Sequence, residues 1–150
     1  MKRALLYLSL LFASNVVSMY YSLYIKWWWF DAVQHFLGGF FIAMLIASYL
    51  KDHMVSGKTF KNMLVVTGAT ALIGVFWEFT EYTANQTLPG WIYEQFQIKT
   101  YFIGDLKDTL SDLFLDIAGA ACFYGLHLLN RRNSHESKAV FENKINGPTK

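Results

Sequence analysis

Apolar residues fall in four long runs along the chain, at residues 4–25, 29–50, 62–84 and 109–129. Each run is close to the roughly 20 residues that an α-helix needs to cross the hydrocarbon core of a bilayer. The strict alternation of polar and apolar residues that is typical of membrane β-strands is absent from these runs. The pattern therefore predicts an all-α, polytopic membrane protein with four transmembrane helices.

Composition and the first apolar run support one membrane domain. The chain has 150 residues, of which 54% are hydrophobic and 18% aromatic, with two prolines. The first run follows Lys2 and Arg3 but continues to Ile25, and no small-x-small cleavage site follows its first ten apolar residues, so we expect an uncleaved helix and not a signal peptide. The single cysteine, Cys122, lies in the fourth run and excludes an intrachain disulfide.

The basic residues predict the orientation of the helices. If the N-terminus is cytoplasmic, ten of the 13 Lys and Arg residues lie on the inner side, and only Lys26, Lys99 and Lys107 lie outside. By the positive-inside rule both chain ends then face the cytoplasm. The excess of basic residues on the inner side is thus better explained by membrane insertion than by nucleic-acid binding, and we expect no nucleic-acid partner.

Two segments flank the predicted membrane domain, which comprises residues 1–130. The polar tail at 131–150 contains a Gly-Pro pair and is predicted to be a flexible cytoplasmic end. The outer loop at 85–107 contains WIYEQFQIKTYF, which is too aromatic for a free loop, so we expect a short helix or re-entrant piece in the headgroup layer. Residues 27–29, three tryptophans, predict a matching anchor, and membrane lipids are therefore expected partners.

Acidic residues and a histidine converge near the outer boundary of three helices. Helix 2 begins with Asp31 and His35 one turn apart, helix 3 ends with two glutamates, and helix 4 begins with aspartates at helical spacing. A rise of 1.5 Å per residue places His35, Glu78 and Asp112 at a similar depth, roughly 5–10 Å below that boundary. The candidate site comprises Asp31, His35, Glu78, Glu81, Asp108, Asp112 and Asp116.

The energetics of buried charge predict a cation at this site. A single ionised Asp at the centre of a membrane helix costs about 2.5–3.5 kcal/mol, and several carboxylates also repel one another. No Lys or Arg lies at membrane depth in these helices, so protons or a bound cation must compensate the charge. Carboxylates with one imidazole suit a divalent metal ion such as Mg²⁺, Mn²⁺, Zn²⁺ or Fe²⁺. The residues do not identify which metal, and if the site is catalytic, Glu78 or His35 would be the base.

Simpler roles compete with metal binding at several of these positions. Asp31 and Asp108 lie near helix N-termini, where Asp is favoured as a cap. Asp116 could accept a hydrogen bond from a neighbouring Thr or Tyr, and His35 could simply hydrogen-bond a carboxylate. Glu78 fits capping least well, because it lies near a helix C-terminus, where the helix dipole disfavours negative charge.

Three short stretches resemble the VanZ-like family of bacterial membrane proteins and the neighbouring YjdF-type small membrane proteins. DAVQHF at 31–36 resembles an Asp-x-x-x-His-Phe stretch, WEFTE at 77–81 is similar to a Glu-x-x-Gln/Glu segment, and DTLSDLFLDIAGA at 108–120 resembles an Asp-centred helix that closes with Gly-Ala. Asp116 departs from the VanZ-like pattern, which usually has Asn there, and Asp-Thr-x-x-Asp fits the YjdF-type group better. The resemblance implies a multi-pass protein of the bacterial plasma membrane with a role at the cell envelope, and it implies no particular reaction.

Three functions remain open from the sequence. The first is a metal-dependent membrane hydrolase or transferase that acts at the outer leaflet on a lipid-linked or phosphorylated envelope molecule. The second is proton or ion translocation through the buried carboxylates, which would need an oligomer because four helices rarely enclose a path. The third is a non-catalytic envelope factor in which a metal holds the helices together. The sequence favours the metal site and leaves catalysis open.

Overall fold

The structure is a computed structural model that describes residues 1–21, 23–27, 29–99 and 105–146. Its helices are α1 (Lys2–Tyr21), α2 (Leu23–Lys26), α3 (Phe30–Tyr49), α4 (Thr59–Phe96) and α5 (Leu106–Asn146), and a 3-10 turn at Lys51–His53 follows α3. The described residues form no strand, and the prediction of an all-α fold is confirmed.

Four of these helices, α1, α3, α4 and α5, are long and apolar enough to cross a membrane, as predicted. Many large apolar side chains point away from the bundle, for example Leu10, Leu72 and Phe114. An apolar surface of this extent suits contact with lipid and would be costly in water. We use "outer end" for the end of the bundle where α3 and α5 begin, which the charge pattern predicts to face outward.

The central helix of the bundle is α3. It packs against α1, α4 and α5, and α4 also packs against α5, whereas α1 and α4 are not in contact along their described residues. Glycines allow the main chains of α3 and α5 to approach closely. A Cβ atom on Gly39 would collide with the main chain of Asp116, and one on Gly119 would collide with the main chain of Phe36. Gly39 and Gly119 are therefore close-packing points between these two helices.

Small and apolar residues fill the inner half of the bundle. Its buried core consists of Ala43, Ala47, Val66, Ala120 and Tyr124. The Tyr124 hydroxyl donates a hydrogen bond to the main-chain oxygen of Thr59 at 3.4 Å, which connects α5 to the start of α4. Among the described residues, no Asp, Glu, Lys or Arg belongs to this core, so close packing and the one long hydrogen bond of Tyr124 hold it together.

The third membrane helix is longer than the sequence predicts. α4 continues beyond residue 84 to Phe96 with Pro89 inside it, and Gln97 ends it in the left-handed conformation. The expectation of a separate headgroup-layer segment beginning at residue 85 is thus wrong for residues 85–96. Proline removes one backbone donor, but the helical hydrogen bonds on either side can carry the helix past it. Residues 100–104 of the aromatic stretch lie outside the described residues.

The other boundaries also differ from the predicted ones. The fourth predicted helix does not end near residue 129, because α5 runs on to Asn146. Its polar extension contains two Arg, two Lys and two Glu residues, which have good helix propensity, so low hydrophobicity alone did not mark a helix end. The first run divides into α1 and α2. Of the predicted tryptophan anchor, Trp28 lies outside the described residues, while the rings of Trp27 and Trp29 stack with centroids 5.9 Å apart.

Candidate metal centre

His35 is the centre of the acidic cluster, and one of its ring nitrogens faces carboxylates from three helices. Its Nε2 lies 3.9 Å from Asp31 Oδ1, 4.0 Å from Glu78 Oε1 and 3.9 Å from Asp112 Oδ2. These separations are too long for hydrogen bonds. Two ligands of one ion with bonds of about 2.1 Å lie roughly 3.0–4.2 Å apart, depending on the angle between them. The spacing therefore suits ligands that share a cation.

The second ring nitrogen of His35 faces a fourth carboxylate. Nδ1 lies 3.6 Å from Asp116 Oδ1, and both side chains are buried. Asp116 is also the residue whose main chain lies against Gly39, so the close crossing of α3 and α5 fixes its position. A histidine that binds a metal through one nitrogen usually donates its other N–H to a carboxylate. Asp116 is placed to orient the His35 ring in this way.

Glu78 is a buried acid without a hydrogen-bond partner. The residue is 5% exposed, and neither Oε1 nor Oε2 accepts a hydrogen bond from the described residues. The Thr109 side chain lies close to this carboxylate without meeting the geometry of a hydrogen bond. Burial of a carboxylate without a partner costs several kcal/mol. Two orphaned oxygens on a membrane-buried glutamate therefore indicate that a proton or a cation belongs beside them.

Glu81 and Asp108 lie at the edge of the cluster. Glu81 is partly buried, and its Oε1 accepts a hydrogen bond from Trp77 Nε1 at 2.8 Å. Asp108 is exposed in the first turn of α5. The carboxylate of Asp105 accepts a hydrogen bond from the main-chain N–H of Asp108 at 3.0 Å. The capping role that the sequence suggests for Asp108 therefore belongs to Asp105.

The donor set fits a divalent ion. Ligand atoms of Asp31, His35 and Asp112 lie within 4.8 Å of one another, and so do those of His35, Glu78 and Glu81. Opposite ligands of Ca²⁺, whose bonds are 2.3–2.6 Å long, are up to about 5.2 Å apart, so small shifts would suit the shorter bonds of Mg²⁺. In the part of the chain that the structure describes, the carboxylates within 4.0 Å of a His35 nitrogen form no ion pair with Lys or Arg; they are those of Asp31, Glu78, Asp112 and Asp116.

The structure brings together six of the seven residues that the sequence predicts for this site. The six are Asp31, His35, Glu78, Glu81, Asp112 and Asp116, and the seventh, Asp108, lies outside both groups of neighbouring ligand atoms. Asp31 differs from the others because its side chain is 39% exposed at the start of α3. The cluster is therefore closed by α4 and α5 on one side and accessible at Asp31.

The sequence gives no role to three neutral polar residues that the structure places beside this cluster. Asn15 Nδ2 donates to Gln34 Oε1 at 3.1 Å, and Gln34 Nε2 donates to Ser14 Oγ at 2.9 Å. These bonds connect the middle of α1 to the first turns of α3. Asn15 and Gln34 also line a cavity of about 420 Å³ that reaches His35. Two features of the sequence could have indicated these residues, namely an amide side chain in the middle of an apolar run and a second amide next to His35.

The comparison with protein families covers nearly the whole membrane domain. The model of the family described as Predicted membrane protein (DUF2238) matches residues 3–133. No curated protein and no solved structure matches the chain. The matched range includes the four membrane helices through residue 133 and all seven candidate residues. The chain belongs to the DUF2238 family of predicted membrane proteins.

Proposed function

We propose that this protein binds a divalent metal ion near the outer face of the bacterial plasma membrane and acts there on an envelope molecule. One observation carries the proposal: His35 Nε2 lies 3.9–4.0 Å from carboxylate oxygens of three helices, too far to hydrogen-bond them. The orphaned oxygens of Glu78 point to the same missing cation. The resemblance of residues 31–36, 77–81 and 108–120 to VanZ-like and YjdF-type proteins supports the location and the envelope role.

Each polar residue has a distinct place in this proposal. His35 Nε2, Asp31 and Asp112 hold the ion, since their ligand atoms form one close group, and Glu78 faces the same nitrogen from α4. Asp116 holds Nδ1 and so fixes the tautomer and the direction of Nε2. Glu81, which Trp77 holds by a hydrogen bond, supplies a further carboxylate beside Glu78.

The chemistry of such an ion suits a hydrolase or transferase. A divalent ion lowers the pKa of a bound water or neutralises a phosphoryl oxygen. Glu78 has two oxygens without hydrogen bonds, so one can bind the ion while the other accepts a proton from water. The half-exposed Asp31 leaves an approach for a lipid-linked or phosphorylated substrate from the outer surface. His35, with Nε2 on the ion, serves as a ligand and not as the base.

Translocation of protons or ions is less well supported by the arrangement of the bundle. A path inward from Asp116 would have to pass the packed layer of Ala43, Val66 and Ala120. These side chains can neither carry a proton nor coordinate an ion. Unchanged flux into liposomes on Asp112→Asn and Glu78→Gln substitution would agree with our preference, whereas loss of a measurable flux would favour translocation.

Metal analysis of the purified protein tests the proposal directly. We expect stoichiometric divalent metal in the wild type and its loss in Asp112→Ala, because Asp112 is buried against His35 Nε2. Asp108→Ala is the matched control on the same helix, since Asp108 is exposed and outside the close ligand groups. A wild-type protein that retains no metal after purification and reloading with Mg²⁺, Mn²⁺, Zn²⁺, Fe²⁺ or Ca²⁺ would refute it.

A stability measurement separates a catalytic ion from a merely structural one. If the metal only holds the helices together, Glu78→Gln should unfold the bundle. If Glu78 is a base as well as a ligand, a folded Glu78→Gln protein should lose function in cells. Size-exclusion chromatography and circular dichroism report the folded state of this variant.

A further inference from the structure

A cavity of about 420 Å³ lies between α1 and α4, with α3 as its floor. It exists because α1 and α4 both pack on α3 but are not in contact with each other along their described residues. Apolar side chains form most of its walls: Leu8, Leu11 and Phe12 from α1, Ile42 from α3, and Ile73 and Phe76 from α4. Gly38 leaves space in it that a larger side chain would fill, and Gly74 leaves room for the Asp116 carboxylate, with which a Cβ there would collide.

The mouth of this cavity faces sideways, toward the bilayer. Phe12 and Phe76 line it from opposite helices and are 59% and 61% exposed. Both residues lie within helices long and apolar enough to span the membrane. Their exposed surfaces therefore meet lipid chains, and a hydrocarbon chain can pass from the bilayer into the cavity without crossing water.

The other end of the cavity is polar. Asp31, His35 and Asp116 of the acidic cluster line it, together with the carboxamides of Asn15 and Gln34. A single continuous space thus joins a hydrocarbon-lined slot to the proposed metal centre. Only an amphiphile with an apolar chain and a polar head would match both parts.

We infer that this cavity binds the hydrocarbon chain of a phosphate-bearing lipid, whose head lies at the His35 centre. This inference rests on the proposed metal function. The cluster of carboxylates would repel an anionic head by itself, and the divalent ion turns it into a site for phosphate oxygens. A free phosphate compound would leave the apolar slot empty. A lipid without phosphate would fill the slot but would gain little from the ion.

Asn15 is assigned a role in recognising the lipid head by hydrogen bonds. Its carboxamide has capacity for several hydrogen bonds and donates one of them to Gln34. Its Oδ1 and its second N–H take no part in that bond, and a polar group on an apolar wall costs free energy unless it finds a partner. Oxygens of the lipid head beside His35 would provide that partner. Asn15 is thus a specificity residue contributed by α1, the helix without a member of the acidic cluster.

Photolabelling in vesicles tests this inference. The protein is reconstituted into vesicles of digalactosyldiacylglycerol, a bilayer-forming lipid without phosphate, with Mn²⁺ and a trace of phosphatidic acid that carries a diazirine at the end of one chain. Mass spectrometry then compares labelling of Leu11, which lines the cavity, with that of Leu10, which faces lipid. We expect labelling at Leu11 to exceed that at Leu10. The preference for Leu11 should disappear when the diazirine is carried by diacylglycerol, which lacks phosphate. It should persist when inorganic phosphate, which lacks the hydrocarbon chain, is added in large amount.

Matched variants close the cavity without removing a proposed ligand. Leu11→Trp should abolish the excess labelling of the remaining cavity wall, and Leu10→Trp should retain it, with Mn²⁺ content equal to that of the wild type in both. Should Leu11→Trp fail to fold, Gly38→Ala and Gly68→Ala provide a milder pair. A Cβ on Gly38 would enter the cavity at ordinary contact distances of 3.8 Å from Leu11 and 3.9 Å from Asp116, whereas one on Gly68 would meet no atom within 4 Å.

The outcomes separate this inference from the metal proposal. Equal labelling of cavity and lipid-facing residues while Mn²⁺ is bound would overturn the lipid site and leave the metal site standing. Labelling that is independent of the phosphate, or that inorganic phosphate abolishes, would overturn the assignment of a phosphate-bearing lipid. A wild-type protein without any bound Mn²⁺ or other divalent ion would overturn both.

Discussion

The outer and inner halves of the α3–α5 pair are built from opposite kinds of residue. In the outer half the buried residues of these two helices include His35, Asp112 and Asp116, and the two carboxylates lie 3.6–3.9 Å from His35 nitrogens. In the inner half they include Ala43 and Ala120, which pack without polar contacts. Small apolar residues hold membrane helices together by close packing alone. Clustered carboxylates do not hold helices together, because the cost of burying their charge and their mutual repulsion both destabilise the packed state. The inner half therefore supports itself, whereas the outer half depends on a cation.

The largest effect should come from closing the crossing between the two halves. In Gly119→Ala the added Cβ meets the main-chain oxygen of Phe36, and a main chain cannot rotate aside as a side chain can. We expect a loss of at least about 3 kcal/mol in the free energy of unfolding, the upper part of the range for overpacking. Circular dichroism during heating in detergent measures it.

Gly125 provides the control for this substitution on the same helix. A Cβ at Gly125 would meet no atom within 4 Å, so Gly125→Ala should leave the melting temperature unchanged or raise it slightly through helix propensity. Equal melting temperatures for the two variants would show that α3 and α5 are further apart than the structure has them.

Removal of the metal should affect the outer half next most strongly. With the ion at 100 times its dissociation constant, binding contributes about 2.7 kcal/mol to the free energy of unfolding, and EDTA should remove that contribution. The double variant Glu78→Gln/Asp112→Asn should not respond to EDTA. When both proteins are in EDTA, the double variant should be the more stable one, because it lacks two of the clustered charges. Differential scanning fluorimetry in detergent gives both comparisons, and an equal response of the two proteins to EDTA would contradict the dependence on a cation.

Asp116→Asn should weaken metal binding without changing the fold. The amide keeps the shape of the side chain and can still present an oxygen to His35 Nδ1, which lies 3.6 Å from Asp116 Oδ1, but it lacks the charge that attracts the Nδ1–H. Loss of a residue that orients a metal-binding histidine lowers affinity about 10–100-fold, and we expect the lower end, about tenfold. Titration with Mn²⁺, followed by electron paramagnetic resonance, measures the affinity. Asp108→Asn, at an exposed position, should bind as the wild type does, and the same result for Asp116→Asn would remove the positioning role.

The sequence predicted the acidic cluster because membrane spans convert position along the chain into depth. Once four spans and their directions are assigned, Asp31, His35, Glu78 and Asp112 must lie near the same level, and helical spacing places them on inward faces. The same reasoning could not separate Asp105 from Asp108. These residues are three positions apart at a helix end, and boundaries deduced from hydrophobicity are uncertain by about that much.

What the sequence could not predict depends on contacts between helices. Nothing in α1 itself shows that Asn15 faces α3, because an amide in an apolar helix can face a neighbour, a cavity or the membrane boundary. Its hydrogen bond to Gln34 exists only once the two helices pack. The continuation of α4 through Pro89 could not be predicted from the sequence for a related reason. Proline weakens a helix locally, and the hydrogen bonds of the turns on both sides decide whether the helix continues.

The smallest expected effect tests whether the two halves are independent. Tyr124→Phe removes a hydroxyl of the inner core whose hydrogen bond to the Thr59 oxygen is long, at 3.4 Å. A typical hydrogen bond contributes about 0.5–1.5 kcal/mol, so a long one should contribute less than about 1 kcal/mol to the free energy of unfolding. Because Tyr124 lies two turns further along α5 than Asp116, Mn²⁺ affinity should equal that of the wild type. A change in affinity would mean that packing of the inner half sets the geometry at His35, and the two halves would then have to be treated as one coupled unit.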